Sequence, residues 1–432
     1  MKAPPWNVLV FPAGTEVGLE IFRSLEHCKE VRLFGASAAV VNHGPCVFAR
    51  YRELPSIDHA DALHALKALV EAWEIDFIFP ANPLVMDFLD EHRSEISCAI
   101  VMPASDTFNI VRSKSASYKH LAQQIPVPTL HGAQSIERFP VYLKPDRLYG
   151  SQGGQRLDSR NALMAAGSLE GMLICEYLPG EEYTVDCFSS STGQLLFAGP
   201  RTRERIRMGT SMHSKVPDSE THAELLAHAR RIHDSLDLTG PWFFQMKRDA
   251  QGTLKLLEID PRIAGTMAFH RVQGINFPLL GLLDKAGMSV RILRNPYHQY
   301  SIDRALTNRY RLDLRYTTVY VDWDDTLVIK QALNTQMLQF LYQCLNQGKR
   351  IVLLSKSLAA DKQALLARWR LQSLFDEVHW LSEDESKSDY IHDTNAIFID
   401  DSFTQREEVA RRLGILTFDP SMVEVLLDDR GH

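Results

Sequence analysis

The stretch LKLLEIDPRIAGT (254–266) starts apolar and ends with Glu258, Asp260 and Arg262 at alternate positions. Alternate residues of a strand share a face. Two carboxylates side by side at a core are costly unless a cation lies between them. Upstream, WFFQMKRDAQGTLKLLEID reads as two strands joined around Gln251-Gly252, where glycine suits the φ > 0 of a tight hairpin. With Gln251-Gly252 as a two-residue loop, Gln245 pairs with Glu258. Gln245, Glu258 and Asp260 then converge as hard oxygen donors of the kind Mg²⁺ accepts, with water and phosphate oxygens completing an octahedron. The competing account is an edge hairpin whose charges face water.

Two further sets carry chemistry. In VYLKPDRLYGSQGGQRL (141–157), Lys144 ends a short strand and a loop with Gly150, Gly153 and Gly154 follows. Backbone N–H groups of such a loop close around phosphate oxygens, and the lysine adds positive charge there. In TTVYVDWDDTLV (317–328) an apolar strand ends in Asp322 and Asp324, two carboxylates where a parallel sheet binds its ligands. Ser355 closes RIVLLS, Lys387 opens a helix in ESKSDYI, and Asp400-Asp401 closes NAIFIDD.

The elements that must position these groups fall into α/β and α+β blocks. Residues 1–105 alternate strand-like NVLVFPAG, EVRLFGA, DFIFPAN and AIVMPAS with amphipathic stretches such as 60–73, which is βαβ order and hence a parallel sheet. PAGTEVG lacks G-x-G-x-x-G, so NAD binding is rejected. Residues 106–300 are mixed, with hairpins at 183–199 and 242–260, and 301–316 reads as the core of an arginine-rich connector running from 294. From 317 to 432 the βαβ alternation returns, with helices at 334–347 and 404–413 stopped by Gly348 and Gly414.

Composition narrows the function. The 432-residue chain carries a net charge of −7, which argues against nucleic-acid and membrane-surface roles. Its six cysteines have no metal spacing, and no apolar run reaches membrane-spanning length. A cytoplasmic location is expected.

The order of motifs SKSASYKHLAQQIPVPTL, VYLKPDRLYGSQGG, CEYLPGEEYTVD, GPRTRER, WFFQMKRD and LLEIDPRIAGT resembles the ATP-grasp superfamily, in its carbamoyl-phosphate-synthase-like and carboxylate–amine ligase branch. The resemblance covers 106–290, with 1–105 similar to the family's preceding αβ domain. It implies that Lys114 and Lys144 contact nucleotide phosphates, and that Gly150, Ser151, Gly153 and Gly154 lie in the mobile phosphate loop. It also implies that the backbone of Glu176, Tyr177 and Leu178 reads adenine and that Glu182 holds ribose. Gln245, Glu258 and Asp260 become Mg²⁺ ligands, and Arg262 steadies an acyl phosphate. Asp260 stands where the family usually has Asn, and Ser113 where it usually has Asp. Arg201, Arg203 and Arg205 lie where it often places anion-binding arginines; a solvated strand face explains them nearly as well.

The last block, 317–432, resembles the haloacid-dehalogenase-like phosphohydrolases, as a doubly wound parallel sheet without a cap. The resemblance implies that Asp322 is the nucleophile, Asp324 the general acid/base, and Ser355 and Lys387 the phosphoryl-binding pair. Asp400 and Asp401 hold Mg²⁺ with Asp322, with Asp324 also counted in the metal set. Asp325 replaces a frequent glycine.

Together the resemblances imply a bifunctional enzyme, an ADP-forming ligase fused to a phosphatase. It would use ATP and Mg²⁺, with Mn²⁺ as a substitute, on small-molecule carboxylate, amine and phosphate-ester substrates, and homo-oligomers are compatible with it. Two alternatives stand beside it: a ligase whose second half senses a phosphorylated metabolite, and a nucleotide-binding interaction protein.

Overall fold

The computed structural model describes residues 3–38, 41–147, 153–207, 209–295, 299–305, 307, 310, 314–356 and 362–428. The chain divides into two compact units, 1–307 and 308–430.

The first unit opens with strands β1 (Trp6–Phe11), β2 (Val31–Ala38), β3 (Tyr51–Leu54), β4 (Phe77–Pro80) and β5 (Ala99–Ile100). They form a parallel sheet in the order β3-β2-β1-β4-β5. Along β1, Trp6, Val8 and Val10 enter one apolar cluster while Leu9 and Phe11 enter a second. A strand covered on both faces reads as an unbroken apolar run, which is why it is conspicuous in the sequence. The sequence reading anticipates four of these strands and omits β3, whose YREL buries only Leu54, as an edge allows. The amphipathic pattern at 60–73 becomes the helix Ala62–Ala72.

The rest of this unit contains β6 (Leu130–His131), β7 (Val141–Pro145), β8 (Gln155–Leu157), β9 (Met172–Glu176), β10 (Glu182–Ser189) and β11 (Leu195–Thr202). It continues with β12 (Arg205–Arg207), β13 (Thr210–Lys215), β14 (Gly240–Arg248), β15 (Leu254–Asp260) and β16 (Ser301–Asp303). Their sheets run β6-β9-β7-β8, β11-β10-β14-β15 and β12-β13-β16. The helix Ser219–Ser235 packs Leu225, Ala229 and Ile232 with Val185, Cys187, Trp242 and Phe244 from one face of the second sheet. Glu182, Thr184 and Gln245 alternate with these residues and belong to the other face.

One expectation changes here. Residues 301–303 lie in the stretch read as a connector, yet they pair with β13 through His213↔Asp303 and Lys215↔Ser301. Asp303 receives Arg205 at 2.7 Å and His213 at 3.0 Å. A strand held by cross-strand charges has no apolar period to reveal it.

The second unit contains β17 (Thr318–Val321), β18 (Val328–Ile329), β19 (Ala332–Leu333), β20 (Arg350–Ser355), β21 (Glu377–Trp380), β22 (Ala396–Ile399) and β23 (Leu416–Phe418). Five form a parallel sheet in the order β21-β20-β17-β22-β23. Val319 and Val321 enter one core cluster and Tyr320 another. β18 and β19 make a small hairpin whose two loop residues, Lys330 and Gln331, both take φ > 0, as a type I′ turn requires. The helices Thr335–Asn346 and Phe403–Leu413 are followed by Gly348 and Gly414 in the left-handed region. Lys387 opens a helix as expected, a short 3₁₀ helix over Lys387–Tyr390.

Candidate functional site

The hairpin differs from its sequence reading in a way that preserves its consequence. Its loop has three residues, Ala250–Gly252, closed by Asp249 N–H donating to Thr253 O at 2.9 Å, with Gly252 at φ +86°. Near the loop the pairs are Arg248↔Leu254, Lys247↔Lys255 and Met246↔Leu256. The extra loop residue would displace Gln245 from Glu258, but a β-bulge at Leu257 restores Gln245↔Glu258 and then Phe243↔Asp260. The burial pattern records the slip: Leu254 and Leu256 are buried, Leu257 and Glu258 are both half-exposed, and Ile259 is buried again. The bulge also frees the Leu257 carbonyl, which accepts from the Tyr118 hydroxyl at 2.6 Å and from Lys144 Nζ at 3.4 Å.

Above this floor lies a cavity of about 790 Å³, within the range of small-molecule sites. Lys114, Lys144, Gly154, Glu176, Tyr177, Leu178, Glu182, Gln245, Glu258 and Arg262 line it, all anticipated from the sequence. Lys114 Nζ is 3.8 Å from Glu258. Lys144 is buried and donates to Tyr118 at 2.6 Å; burial, with Lys114 nearby, holds its ammonium below the usual lysine value. Ser113, in place of the family's acid, bonds Asp146 at 2.8 Å, so the carboxylate beside Lys114 comes from after β7. A Cβ on Gly154 would sit 2.6 Å from the Tyr142 hydroxyl, so any larger residue there must displace that side chain. Gly153 takes φ +69°. Gly150 and Ser151 lie outside the described residues.

Asp260 is placed differently from Gln245 and Glu258. It is not among the cavity-lining residues and forms an ion pair with Arg262 at 2.7 Å. Burial pushes its carboxyl up against the pull of that arginine. Arg262 Nε is buried without a hydrogen-bond partner among the described residues, and the guanidinium lies 5.2 Å from the Phe243 ring centre. Of the arginines left between two readings, Arg201 is buried against Asp186 at 2.7 Å, Arg203 meets Glu182 at 2.6 Å, and Arg205 is an exposed partner of Asp303.

Sequence reasoning missed Lys247 and Tyr118. Lys247 shares a face with Gln245, two residues away on β14, and lines the cavity. Tyr118 lies one helical turn beyond Lys114, in the helix Lys114–Leu121. Both periodicities were available as signals.

These features agree with the comparisons with known proteins. Residues 168–307 match a family model described as ATP-grasp in the biosynthetic pathway with Ter operon. A biotin carboxylase from Campylobacter jejuni superposes with a TM-score of 0.57 at 16% identity, covering 66% of this chain and 71% of its own. The biotin carboxylase domain of a 2-oxoglutarate carboxylase from Hydrogenobacter thermophilus, solved with MgADP, ADP and bicarbonate, gives 0.57 at 13% identity, covering 68% and 73%. An L-amino acid ligase from Bacillus licheniformis gives 0.53 at 19% identity, covering 66% and 75%. The first unit has the ATP-grasp fold. A comparison with curated proteins returns no match. Among the described residues, no helix is long and apolar enough to cross a membrane.

The second cluster lies apart from the ATP-grasp match, at the carboxyl ends of β17 and β22. These strands flank the point where the sheet order β21-β20-β17-β22-β23 reverses direction in the chain. Carboxylate oxygens of Asp322, Asp400 and Asp401 come within 4.8 Å of one another. Lys387 Nζ lies between two of them, 2.7 Å from Asp322 and 2.5 Å from Asp400. Burial, reinforced by Asp400, pushes the Asp322 carboxyl up to about 6 despite Lys387. Ser355 Oγ is buried and finds no partner among the described residues. Asp324, two residues beyond Asp322, is exposed. Asp325 takes φ +53°, a left-handed conformation that Asp tolerates better than most residues. The Thr326 hydroxyl accepts from Asp401 N–H at 3.1 Å and ties the two acidic loops together.

Proposed function

We propose that the first unit is an ADP-forming carboxylate–amine ligase that works through an acyl phosphate. The observation that carries this reading is the bulged register that sets Gln245 beside Glu258 in one cavity with Lys114, Lys144 and Arg262. Two hard oxygen donors side by side, next to lysines and a glycine packed against Tyr142, suit Mg²⁺ and a triphosphate. Bound there, Mg²⁺ (or Mn²⁺) neutralises phosphate charge. Lys114 and Lys144 hold the transferring phosphoryl group. Its transfer to a carboxylate gives an acyl phosphate with a good leaving group, and the guanidinium of Arg262 faces the charge that develops. The Glu176–Leu178 backbone is read as the adenine hinge and Glu182 as the ribose acceptor. Asp260 serves as the anchor of Arg262 as much as a metal ligand, given their 2.7 Å pair.

We propose that the second unit is a phosphohydrolase. Support comes from the Ser355 hydroxyl, buried without a partner among the described residues at the end of β20, the strand next to β17, and from the Lys387-bridged acidic cluster, groups that suit a phosphoryl group and a divalent cation. The carboxylates of Asp322, Asp400 and Asp401 suit Mg²⁺, which would supply charge neutralisation. Asp322 attacks phosphorus to give an aspartyl phosphate, Asp324 protonates the leaving oxygen and later activates water, and Ser355 and Lys387 hold the phosphoryl oxygens.

The test is product identity. Purified protein with MgATP and a panel of amino acids should release ADP and inorganic phosphate. ¹⁸O from a substrate carboxylate should appear in that phosphate. AMP with pyrophosphate as products would overturn the acyl-phosphate mechanism. Hydrolysis of a small phosphate ester should require Mg²⁺ and stop on chelation.

A further inference from the structure

The first sheet has the order β3-β2-β1-β4-β5, so its chain direction reverses between β1 and β4. Open α/β sheets bind ligands in the crevice outside the strand ends at such a reversal. Here the turns and first helical residues that follow β1 (Thr15, then Glu16 and Val17 of the helix Glu16–Leu25) and β4 (Ala81, Asn82, then Pro83 of the helix Pro83–Glu91) line the same cavity as the nucleotide residues. The nucleotide chemistry uses none of these six.

The charges at this part of the cavity are paired in a telling way. Arg201, Arg203 and Arg262 each meet a carboxylate of the ATP-grasp sheet, Asp186, Glu182 and Asp260, at 2.6–2.7 Å. Glu16 belongs to neither the nucleotide nor the metal set. It is half-exposed (52%) and its partner is Arg304 at 3.2 Å. Arg304 is itself largely buried and donates to the hydroxyl of Thr266, another cavity residue, at 3.2 Å. What stands in front of this pair is a glycine. A Cβ built on Gly265 would meet Arg304 Nη1 at 3.5 Å, Nη2 at 3.7 Å and Glu16 Cβ at 3.8 Å. Gly265 lines the cavity and follows Arg262 by three residues, so the pair sits within one short loop of the guanidinium assigned to the acyl phosphate.

We propose that Glu16 and Arg304 form the binding site for the amine substrate and that this substrate is an α-amino acid. A free α-amino acid carries an ammonium and a carboxylate on one carbon, a zwitterion whose complement is an adjacent carboxylate and guanidinium. Glu16 takes the ammonium and Arg304 the carboxylate, each by charge-assisted hydrogen bonds. Glu16 and Arg304 pair with each other at 3.2 Å, so a ligand that binds them must separate the pair: the zwitterion returns a counter-charge to each, whereas a simple amine takes Glu16 from Arg304 and a simple acid takes Arg304 from Glu16 with nothing returned. Gly265 keeps side-chain bulk out of the approach to the pair. This inference rests on the ligase reading of the first unit and deepens it by naming the amine.

The test is ligand binding by the full-length protein, read by calorimetry in the presence of MgADP. The ligands are the twenty proteinogenic L-amino acids, each with its decarboxylated amine and its deaminated acid. At least one amino acid should bind while its amine and acid analogues bind about tenfold or more weakly, the loss of one charge-assisted bond. Glu16→Gln should weaken that amino acid about tenfold or more and leave MgADP affinity unchanged. Gly265→Val should weaken it without altering either charge. Binding of MgADP with no amino acid bound, equal binding of the amine analogue, or wild-type affinity in Glu16→Gln would each overturn the proposal while sparing the ligase reading. Failure of MgADP itself to bind would overturn both.

Discussion

The two sites are built on opposite plans. The acidic cluster of the second unit stands at the ends of parallel strands, where each loop delivers one group: Asp322 after β17, Ser355 at the end of β20, Asp400 after β22. The ATP-grasp cavity is floored by antiparallel strands, and its groups come from the middle of β14 and the far half of β15. A strand-end site depends on where strands stop, and a one-residue error leaves it recognisable. A mid-sheet site depends on register, and a one-residue slip turns every side chain to the other face. Here the three-residue loop introduces such a slip and the Leu257 bulge reverses it. Leu257 then contributes its carbonyl to Tyr118 and Lys144, so the correction is part of the site.

The largest effects should come from removing one group of each site. Asp322→Asn keeps shape but removes the carboxylate proposed as nucleophile, so phosphate-ester hydrolysis should fall by about 10⁴-fold or more while ATP-dependent ligation persists. Glu258→Ala should lower ADP formation by about 10³-fold while sparing the proposed phosphate-ester hydrolysis. Parallel assays of both activities on both variants check this. Loss of ligation in a folded Asp322→Asn protein would show that the sites share an obligatory phosphorylated intermediate.

The next effect sharpens the contrast in electrostatics. Lys387 bridges two buried carboxylates, whereas Glu258 and Asp260 on β15 have separate partners, Lys114 and Arg262. Lys387→Met leaves Asp322 and Asp400 facing each other, and the second unit should lose about 3–5 kcal/mol of stability. Added Mg²⁺ should restore part of it. Denaturant titration with and without Mg²⁺ measures both.

A smaller effect probes register. Gly252 holds φ +86° in the loop that makes the bulge necessary, so Gly252→Ala should cost about 1–2 kcal/mol by backbone strain. ADP formation should be preserved wherever the hairpin remains folded. A fall in activity larger than the fall in folded fraction would mean that the loop, and not the bulge alone, controls the Gln245–Glu258 pairing.

The mildest is Asp260→Asn. An amide in place of the carboxylate weakens the pair with Arg262 but keeps an oxygen donor, so ADP formation should change less than about tenfold. A loss as large as that of Glu258→Ala would place Asp260 among the essential metal ligands.

The sequence was most legible where local rules suffice. The buried parallel strands appear as apolar runs, Gly348 and Gly414 end their helices, and Asp322, Ser355 and Asp400 sit at strand ends because strand ends are visible as changes of composition. Gln245, Glu258 and Lys144 were legible as residue types in order along the chain. β3 and β16 were not: β3 is a four-residue edge strand that buries only Leu54, and β16 is an edge strand held by cross-strand charges, so neither carries an apolar period.

The amino-acid sequence by itself determined which groups are available for chemistry and roughly which segments carry them, since residue type and local periodicity are properties of short stretches. Only the tertiary structure decided how they meet. The Leu257 bulge, the Lys387 bridge and the Glu16–Arg304 pair each depend on contacts between residues apart in sequence or on register. Glu16 and Arg304 are separated by 288 positions, and nothing local to either residue signals the other. Burial and charge compensation choose such partners, because a buried or half-buried charge settles where the fold offers its counter-charge.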